Sequence, residues 1–262
     1  MRGMGQVRLG QGEKMGQEFE GFRYAYEIDL DQDTTAAKVV RLVGTGKNVL
    51  EFGCGPGHMS RVLVERMRCK VTGIELDSEA ASHAERYCQR VYNIDLDNVD
   101  ILEIVENDEF DVLLFADILE HLKHPQKVLH AAYEILDKRG YVVASVPNVG
   151  YCGLVGELLC GKFQYRELGL LDETHIRFFT RQSLTSMFEE NGFEIGEMDT
   201  FELPVEFSEF KGVTDHLPEA VWDFLLSCKD SMVYQFVLKA YKRKRSGLIT
   251  KLTDYFGLRQ GE

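Results

Sequence analysis

Apolar residues along this chain fall into short continuous runs separated by amphipathic stretches. The runs Asn48–Glu51, Val71–Glu75, Phe110–Phe115 and Tyr141–Val146 predict strands, and Val91–Asn93 predicts a weaker one. Continuous apolar character, rather than alternation, fits strands covered on both faces, as in a parallel sheet. Between the runs, Met59–Arg68 carries Val62, Leu63 and Met67 on one helical face, and Ser78–Tyr87 and Gln126–Leu136 also predict helices. The stretch DQDTTAAKVVRLV opens a helix ahead of the first strand. Thr180 predicts the N-cap of a helix through Asn191, with Gly192 as its C′ stop. Phe193–Phe201 and Met232–Tyr241 predict two late strands that could form a terminal antiparallel pair. Strands alternating with helices imply parallel pairing through right-handed crossovers, hence an α/β fold.

The pattern places one domain at 18–241. Residues 1–17, rich in Gly and Gln, predict a disordered N-terminus, and 242–262 a tail that opens with the basic run KRKR. The aromatics Phe19, Phe22, Tyr24 and Tyr26 read as packing of the N-terminal segment onto the domain. A stretch at 149–179, containing GYCGLVGELLCGKFQY, reads as an insertion after the fifth strand, a lid or pocket wall.

At 262 residues the chain can bury a core without covalent staples. Its net charge of −13 repels phosphate backbones and argues against nucleic acid as the main partner. None of the six cysteines has CxxC spacing, so reduced thiols in a cytoplasmic protein are expected. The N-terminus lacks the apolar core of a signal peptide, and no apolar run reaches the roughly 18–20 residues of a membrane span.

The candidate chemistry begins at Val49-Leu50-Glu51-Phe52-Gly53-Cys54-Gly55-Pro56-Gly57-His58, a strand–loop–helix junction. Its glycines permit positive φ and close approach of a ligand to the backbone, and the following helix offers free N–H groups. Such glycines also occur in purely structural turns, but three acidic residues add to them. Glu51 ends the first strand, where a carboxylate suits an ammonium group better than a pyrophosphate. Glu75 ends the second strand, where an acid takes a ribose diol. Asp95 follows the third strand, where it can accept from an adenine amino group.

In that order, VLEFGCGPGHMS, VTGIELD, NIDLD, FDVLLFADILEHL and GYVVASVPN resemble the class I S-adenosylmethionine-dependent methyltransferases, over roughly residues 40–200. The resemblance implies a Rossmann-like, doubly wound sheet of seven strands. It would be mostly parallel with an antiparallel terminal strand, and helices would cover both faces. It also implies S-adenosylmethionine as cofactor. Glu51, Gly53 and Gly55 would surround its methionine part, and Glu75 would take the ribose hydroxyls. Asp95 and Leu96 would flank the adenine, and Phe115 and Ala116 would lie near the methionyl group.

After the fourth strand, Asp117, Glu120 and His121 have the spacing of one helical turn, which would put two carboxylates and an imidazole on one side. This segment lies where open α/β sheets bind ligands. It lacks the Asn/Asp-Pro-Pro-aromatic run of enzymes that methylate nucleobase amino groups. DILEH joined to VPN and a later THIRFFT resembles the branch of ubiquinone-pathway, glycan and secondary-metabolite O-methyltransferases. It also resembles the methyltransferases that act on the terminal ribose of small RNAs. In those RNA enzymes the matching positions, here Asp117, Glu120, His121 and His175, hold a divalent metal such as Mg or Mn. Asp117 departs from the longer Glu usual there. Three roles for the cluster stay open: a metal site, a general base at His121 or His175 with Glu120 beside it, or a structural role in which His121 caps a turn and His175 hydrogen-bonds backbone.

The expected function is methyl transfer from S-adenosylmethionine to a hydroxyl of a small molecule or sugar. Alternatives are N-methylation of a metabolite or sugar amine, and a non-catalytic protein that keeps the cofactor site. A small-RNA acceptor ranks third among the enzymatic readings because of the acidic charge. The oligomeric state and the role of the tail are not readable from the sequence.

Overall fold

The computed structural model describes residues 21–23, 27–105 and 109–243. The expected disordered N-terminus, Phe19, Tyr24, Tyr26 and the tail beyond Arg243 lie outside the described residues.

The first half of the chain alternates as its apolar runs require. Helix α1 (Thr35–Val43) starts where the Thr34 side chain accepts from the Ala37 N–H, and it buries Val39, Val40 and Val43. It leads into β1 (Asn48–Phe52), α2 (His58–Glu65), β2 (Lys70–Glu75), α3 (Ser78–Ala84), β3 (Arg90–Asn93) and the short α4 (Ile101–Ile104). Next come β4 (Phe110–Ala116), α5 (Pro125–Ile135), β5 (Leu136–Pro147) and α6 (Cys152–Leu159). Helix α7 (Arg181–Glu190) is fixed at its start by a capping box between Thr180 and Ser183, and Gly192 follows its end at φ 86°. The chain closes with β6 (Phe193–Glu202), α8 (Glu219–Ser227) and β7 (Val233–Lys242).

The seven strands form one sheet in the order β3-β2-β1-β4-β5-β7-β6. Strands β1 to β5 pair in parallel, and β7 runs antiparallel to both neighbours, so the late hairpin inserts its second strand beside β5. The order reverses between β1 and β4. That reversal opens a crevice above their carboxyl ends, where ligands bind in such sheets. Two apolar layers cover the sheet. One contains Leu50, Phe52, Leu113 and Phe115, and the other Val49, Val71, Val112 and Leu114. Alternate residues of β1 and β4 thus serve opposite faces.

A third apolar cluster stands apart from the sheet layers. It joins Tyr151, Leu154 and Leu171 of the insertion to Phe210, Val213 and Leu225 from the stretch between β6 and β7. The Tyr151 hydroxyl donates to the Leu203 carbonyl at 2.8 Å. A Cβ at Gly153 would sit 2.8 Å from the Phe210 Cβ, so only glycine lets α6 approach this closely. Sequence reading assigned no element to 203–231, although this stretch supplies half of the wall. No described helix is long and apolar enough to cross a membrane.

Candidate active site

A cleft of about 800 Å³ lies above the carboxyl ends of the central strands, lined by Glu51, Gly53, Gly55, Glu75 and Ala116. The glycine loop is pinned from below, because the Gly53 and Cys54 N–H groups both donate to the Ile74 carbonyl of β2. Gly53 and Gly55 adopt φ of 70° and 52°. A Cβ at Gly53 would meet Ile118 at 2.7 Å, whereas one at Gly55 would meet nothing within 4 Å. The bare backbone at Gly55 therefore borders open space that a ligand can occupy. Glu75 holds this loop as well as facing the cleft: it accepts from Gly55 N–H at 2.8 Å and Asp77 N–H at 2.9 Å.

At the other end of the same cleft stand Glu120, His121 and His175. Leu119–His121 is a single 3-10 turn. Asp117 does not share a helical turn with it, since its φ is +51°. Its carboxylate accepts from Ser145 Oγ at 2.8 Å and Gln235 Nε2 at 3.0 Å. The expected four-residue cluster is therefore corrected to three. Ligand atoms of Glu120, His121 and His175 lie within 4.8 Å of one another, and Asp117 instead anchors the chain reversal to β5 and β7.

His175 reaches this place although it lies 54 residues beyond His121. The N–H groups of Ile176 and Arg177 donate to the Glu120 carbonyl at 2.9 and 3.0 Å, docking one loop on the other. The two imidazole rings meet edge to face with centroids 4.8 Å apart. His175 Nδ1 lies 3.1 Å from the Leu170 carbonyl and its Nε2 lies 4.0 Å from Glu120 Oε1.

Burial dominates the electrostatics. It pushes the Glu120 carboxyl well above its ordinary value, and the Asp117 charge adds to the effect. Both Glu120 carboxyl oxygens are buried without a hydrogen-bond partner among the described residues. Burial, then the charge of His175, lowers His121 to about 4, against the pull of Asp172 and Thr174. His121 is therefore neutral at physiological pH. Two imidazoles and an unsatisfied carboxylate form a mixed N/O donor set that fits a divalent cation.

Three expected cofactor residues do not line the cleft. Phe115 is fully buried and stacks on Phe52 at 4.2 Å, because strand alternation turns it into the sheet layer. The Asp95 carboxylate accepts from Asp97 N–H and Asn98 Nδ2, closing a turn after β3. Leu96 packs against the main core. Conversely, the cleft is lined by Asp172, Thr174 and Gln235, which the sequence reading did not single out as site residues. The first two sit in the DETH segment beside His175, a signal that was present. Gln235 comes from β7, and only the sheet order brings it there.

A family described as a methyltransferase domain matches residues 29–197. A ubiquinone biosynthesis O-methyltransferase of Psychrobacter arcticus is 29% identical over 153 residues, 56% of this chain and 59% of that protein. The mitochondrial ubiquinone biosynthesis O-methyltransferase of Dictyostelium discoideum is 22% identical over 218 residues, 78% of this chain and 64% of that one. The chain thus spans about three fifths of the length of these curated relatives. A SAM-dependent methyltransferase from Archaeoglobus fulgidus has a similar structure, with a TM-score of 0.57 at 18% identity, covering 79% of this chain and 92% of that one. Magnesium protoporphyrin IX methyltransferase from Synechocystis, solved with bound SAH, gives 0.53 at 16% identity, covering 80% and 82%. At these identities the solved structures speak to the fold alone.

Proposed function

This chain belongs to the class I S-adenosylmethionine-dependent methyltransferases, and from that premise we propose that it methylates a hydroxyl of a small molecule or sugar. The observation that carries the reading is the continuity of one cleft from Glu51, Gly53, Gly55 and Glu75 to Glu120, His121 and His175. The glycine cradle and the two strand-end carboxylates fit a ligand with an ammonium group at one point and a ribose diol at another. In this reading Glu51 takes the ammonium, Glu75 the ribose hydroxyls, and Ala116 lies beside the methionyl chain. The O-methyltransferase names of the curated relatives support a hydroxyl acceptor.

Methyl transfer is an in-line displacement at a sulfonium, so the chain must align two reactants and remove the hydroxyl proton. The acceptor would enter past Leu168, Leu170 and Asp172, which line the far wall. The imidazole of His121 or His175 takes the proton as the oxygen attacks. The acidic surface disfavours RNA, and the unbridged cysteines suit a cytoplasmic setting. The insertion at 149–179 serves as the acceptor wall.

The orphaned Glu120 carboxylate favours a second reading of the same three residues. Glu120, His121 and His175 would hold Mg²⁺ or Mn²⁺, which supplies Lewis acidity that lowers the acceptor hydroxyl pKa when bound.

Calorimetry with S-adenosylhomocysteine tests the central reading. Micromolar binding and a rise in Tm by mass action are expected. No binding by the full chain would overturn it.

A further inference from the structure

We propose that Cys54 and Cys88 are an oxidisable thiol pair beneath the glycine cradle, and that joining them in a disulfide deforms the cradle. The inference goes beyond the proposed function and borrows from it only the ligand whose affinity reports the change.

Three neighbouring strands make the pair. Cys54 follows β1, Cys88 precedes β3, and Gly73 lies between them on β2. A Cβ at Gly73 would sit 2.6 Å from Cys54 Sγ and 3.4 Å from Cys88 Sγ, so the two sulfurs share the space that a side chain at 73 would fill. The thiols hydrogen-bond to each other, which holds Cys88 below its ordinary value and, together with burial, Cys54 above it. Cys88 Sγ also lies 3.3 Å from Ser60 Oγ. Cys54 is 1% exposed and Cys88 8%, so Cys88 is the thiol a small oxidant meets first. All six cysteines are unbridged. Cys69 bonds the Gly44 carbonyl, Cys152 lies against Met232 and Cys228 bonds the Phe224 carbonyl, so these three do not repeat the arrangement.

A peroxide is the oxidant that balances the step. The Cys88 sulfur, as thiolate, attacks one oxygen of hydrogen peroxide. The O–O bond breaks, hydroxide leaves and a sulfenic acid forms. The Cys54 sulfur then attacks the Cys88 sulfur. An S–S bond forms, the S–O bond breaks, and water leaves with the Cys54 proton. The pair has given two electrons to the peroxide, and a dithiol returns them by exchange. Both cysteines are anchored at their N–H groups, Cys54 to the Ile74 carbonyl at 3.0 Å and Cys88 to the Ala84 carbonyl at 3.0 Å. Covalent closure therefore pulls on the turn that holds Cys54, where Gly53 and Gly55 resist least. Those two glycines line the cleft, and the Gly55 N–H bond to Glu75 leaves from the same turn. Ligand and disulfide thus compete for one backbone arrangement, so a bound ligand must in turn disfavour oxidation.

The test treats the full chain with hydrogen peroxide and maps its peptides without reduction. A peptide linked through Cys54 and Cys88 is expected, and saturating S-adenosylhomocysteine should slow its formation. Calorimetry should show S-adenosylhomocysteine affinity falling at least about tenfold on oxidation and returning with dithiothreitol. Hydrogen exchange at residues 53–58 reads the same deformation without any ligand and should rise in the oxidised chain. Cys88→Ser should bind S-adenosylhomocysteine equally before and after peroxide, whatever its starting affinity. Cys228→Ser, which removes the exposed thiol, should respond as the unaltered chain does. Sulfinic acid at either cysteine with no cross-link overturns the inference. So does a cross-linked chain whose exchange at 53–58 is unchanged, or a loss of affinity in Cys88→Ser equal to that of the unaltered chain. If the reduced, unaltered chain does not bind S-adenosylhomocysteine, the proposed function fails, while the peptide map and the exchange at 53–58 still decide this inference.

Discussion

The hydroxyl of Ser60, in α2, donates to the carboxyl group of Glu51, at the end of β1, and that carboxyl is 2% exposed. The Cys88 thiol in turn donates to Ser60 Oγ at 3.3 Å. Burial pushes Glu51 up to about 8, and the neighbouring Cys88 and Glu75 add to it, with the Ser60 bond only partly opposing. Before any cation arrives, Glu51 therefore keeps its proton at neutral pH.

With Glu51 as the ammonium partner, cofactor binding would release a proton. An ammonium group beside Glu51 favours the carboxylate, so the proton leaves as S-adenosylhomocysteine binds. At pH 7, calorimetry in buffers of different ionisation enthalpy should show close to one proton released per site. Affinity should strengthen from about pH 6 to about pH 8 and level off above the raised value. Binding with no proton exchange would count against Glu51 as the ammonium partner.

The same group shapes stability without ligand. A carboxyl at about 8 when folded and 4.5 ordinarily binds its proton in the folded chain but not in the unfolded one between those limits. Folding then takes up a proton, and stability falls as pH rises from about 4.5 to about 8. Glu51→Gln removes that dependence. It should raise the unfolding free energy at pH 7 by on the order of 1–3 kcal/mol while weakening S-adenosylhomocysteine binding. Denaturant titration at pH 5 and pH 8 checks this: the gain from the substitution must be larger at the higher pH.

Glu75 tests the other end of the cofactor. Its carboxylate is both the candidate ribose acceptor and the anchor of Gly55 N–H. Glu75→Ala should weaken S-adenosylhomocysteine by at least about tenfold, or roughly 1.4 kcal/mol. Glu75→Gln keeps one acceptor oxygen and should lose less. Equal affinity for all three proteins would show that Glu75 faces the cleft without contributing to it.

What the sequence disclosed follows from periodicity. Continuous apolar runs marked β1, β2, β4 and β5 because parallel strands are buried on both faces. Gly53, Gly55 and Glu75 were legible because a glycine loop and a strand-end acid are local features. Asp117 misled because i,i+3 and i,i+4 spacing means proximity only in a helix, and a residue at φ +51° is outside one. Phe115 misled because one strand position decides between core and cleft. The wall built from 203–231 was illegible because its helix α8 buries few residues and owes its place to contacts with α6, far away in the chain.

Thermal stability in Mn²⁺ separates a cation site at Glu120, His121 and His175 from a pair of bases. A buried carboxyl with neither oxygen satisfied among the described residues is costly to ionise alone, and a divalent cation beside it would remove that cost. Mn²⁺ should therefore raise the Tm of the full chain, and the rise should saturate as a single site. Burial holds the carboxyl protonated to higher pH than usual and it must give up that proton to hold the cation, so Mn²⁺ affinity should climb as pH rises. Glu120→Gln and His175→Ala should each abolish the Mn²⁺ effect, with S-adenosylhomocysteine binding reporting that each variant is folded. Asp117→Asn should keep the Mn²⁺ effect, because that carboxylate is committed to Ser145 and Gln235 rather than to the cluster. Retention of the Mn²⁺ shift in Glu120→Gln, or its absence in the unaltered chain, would leave the imidazoles as general bases only, and chelators would then have no effect on methyl transfer.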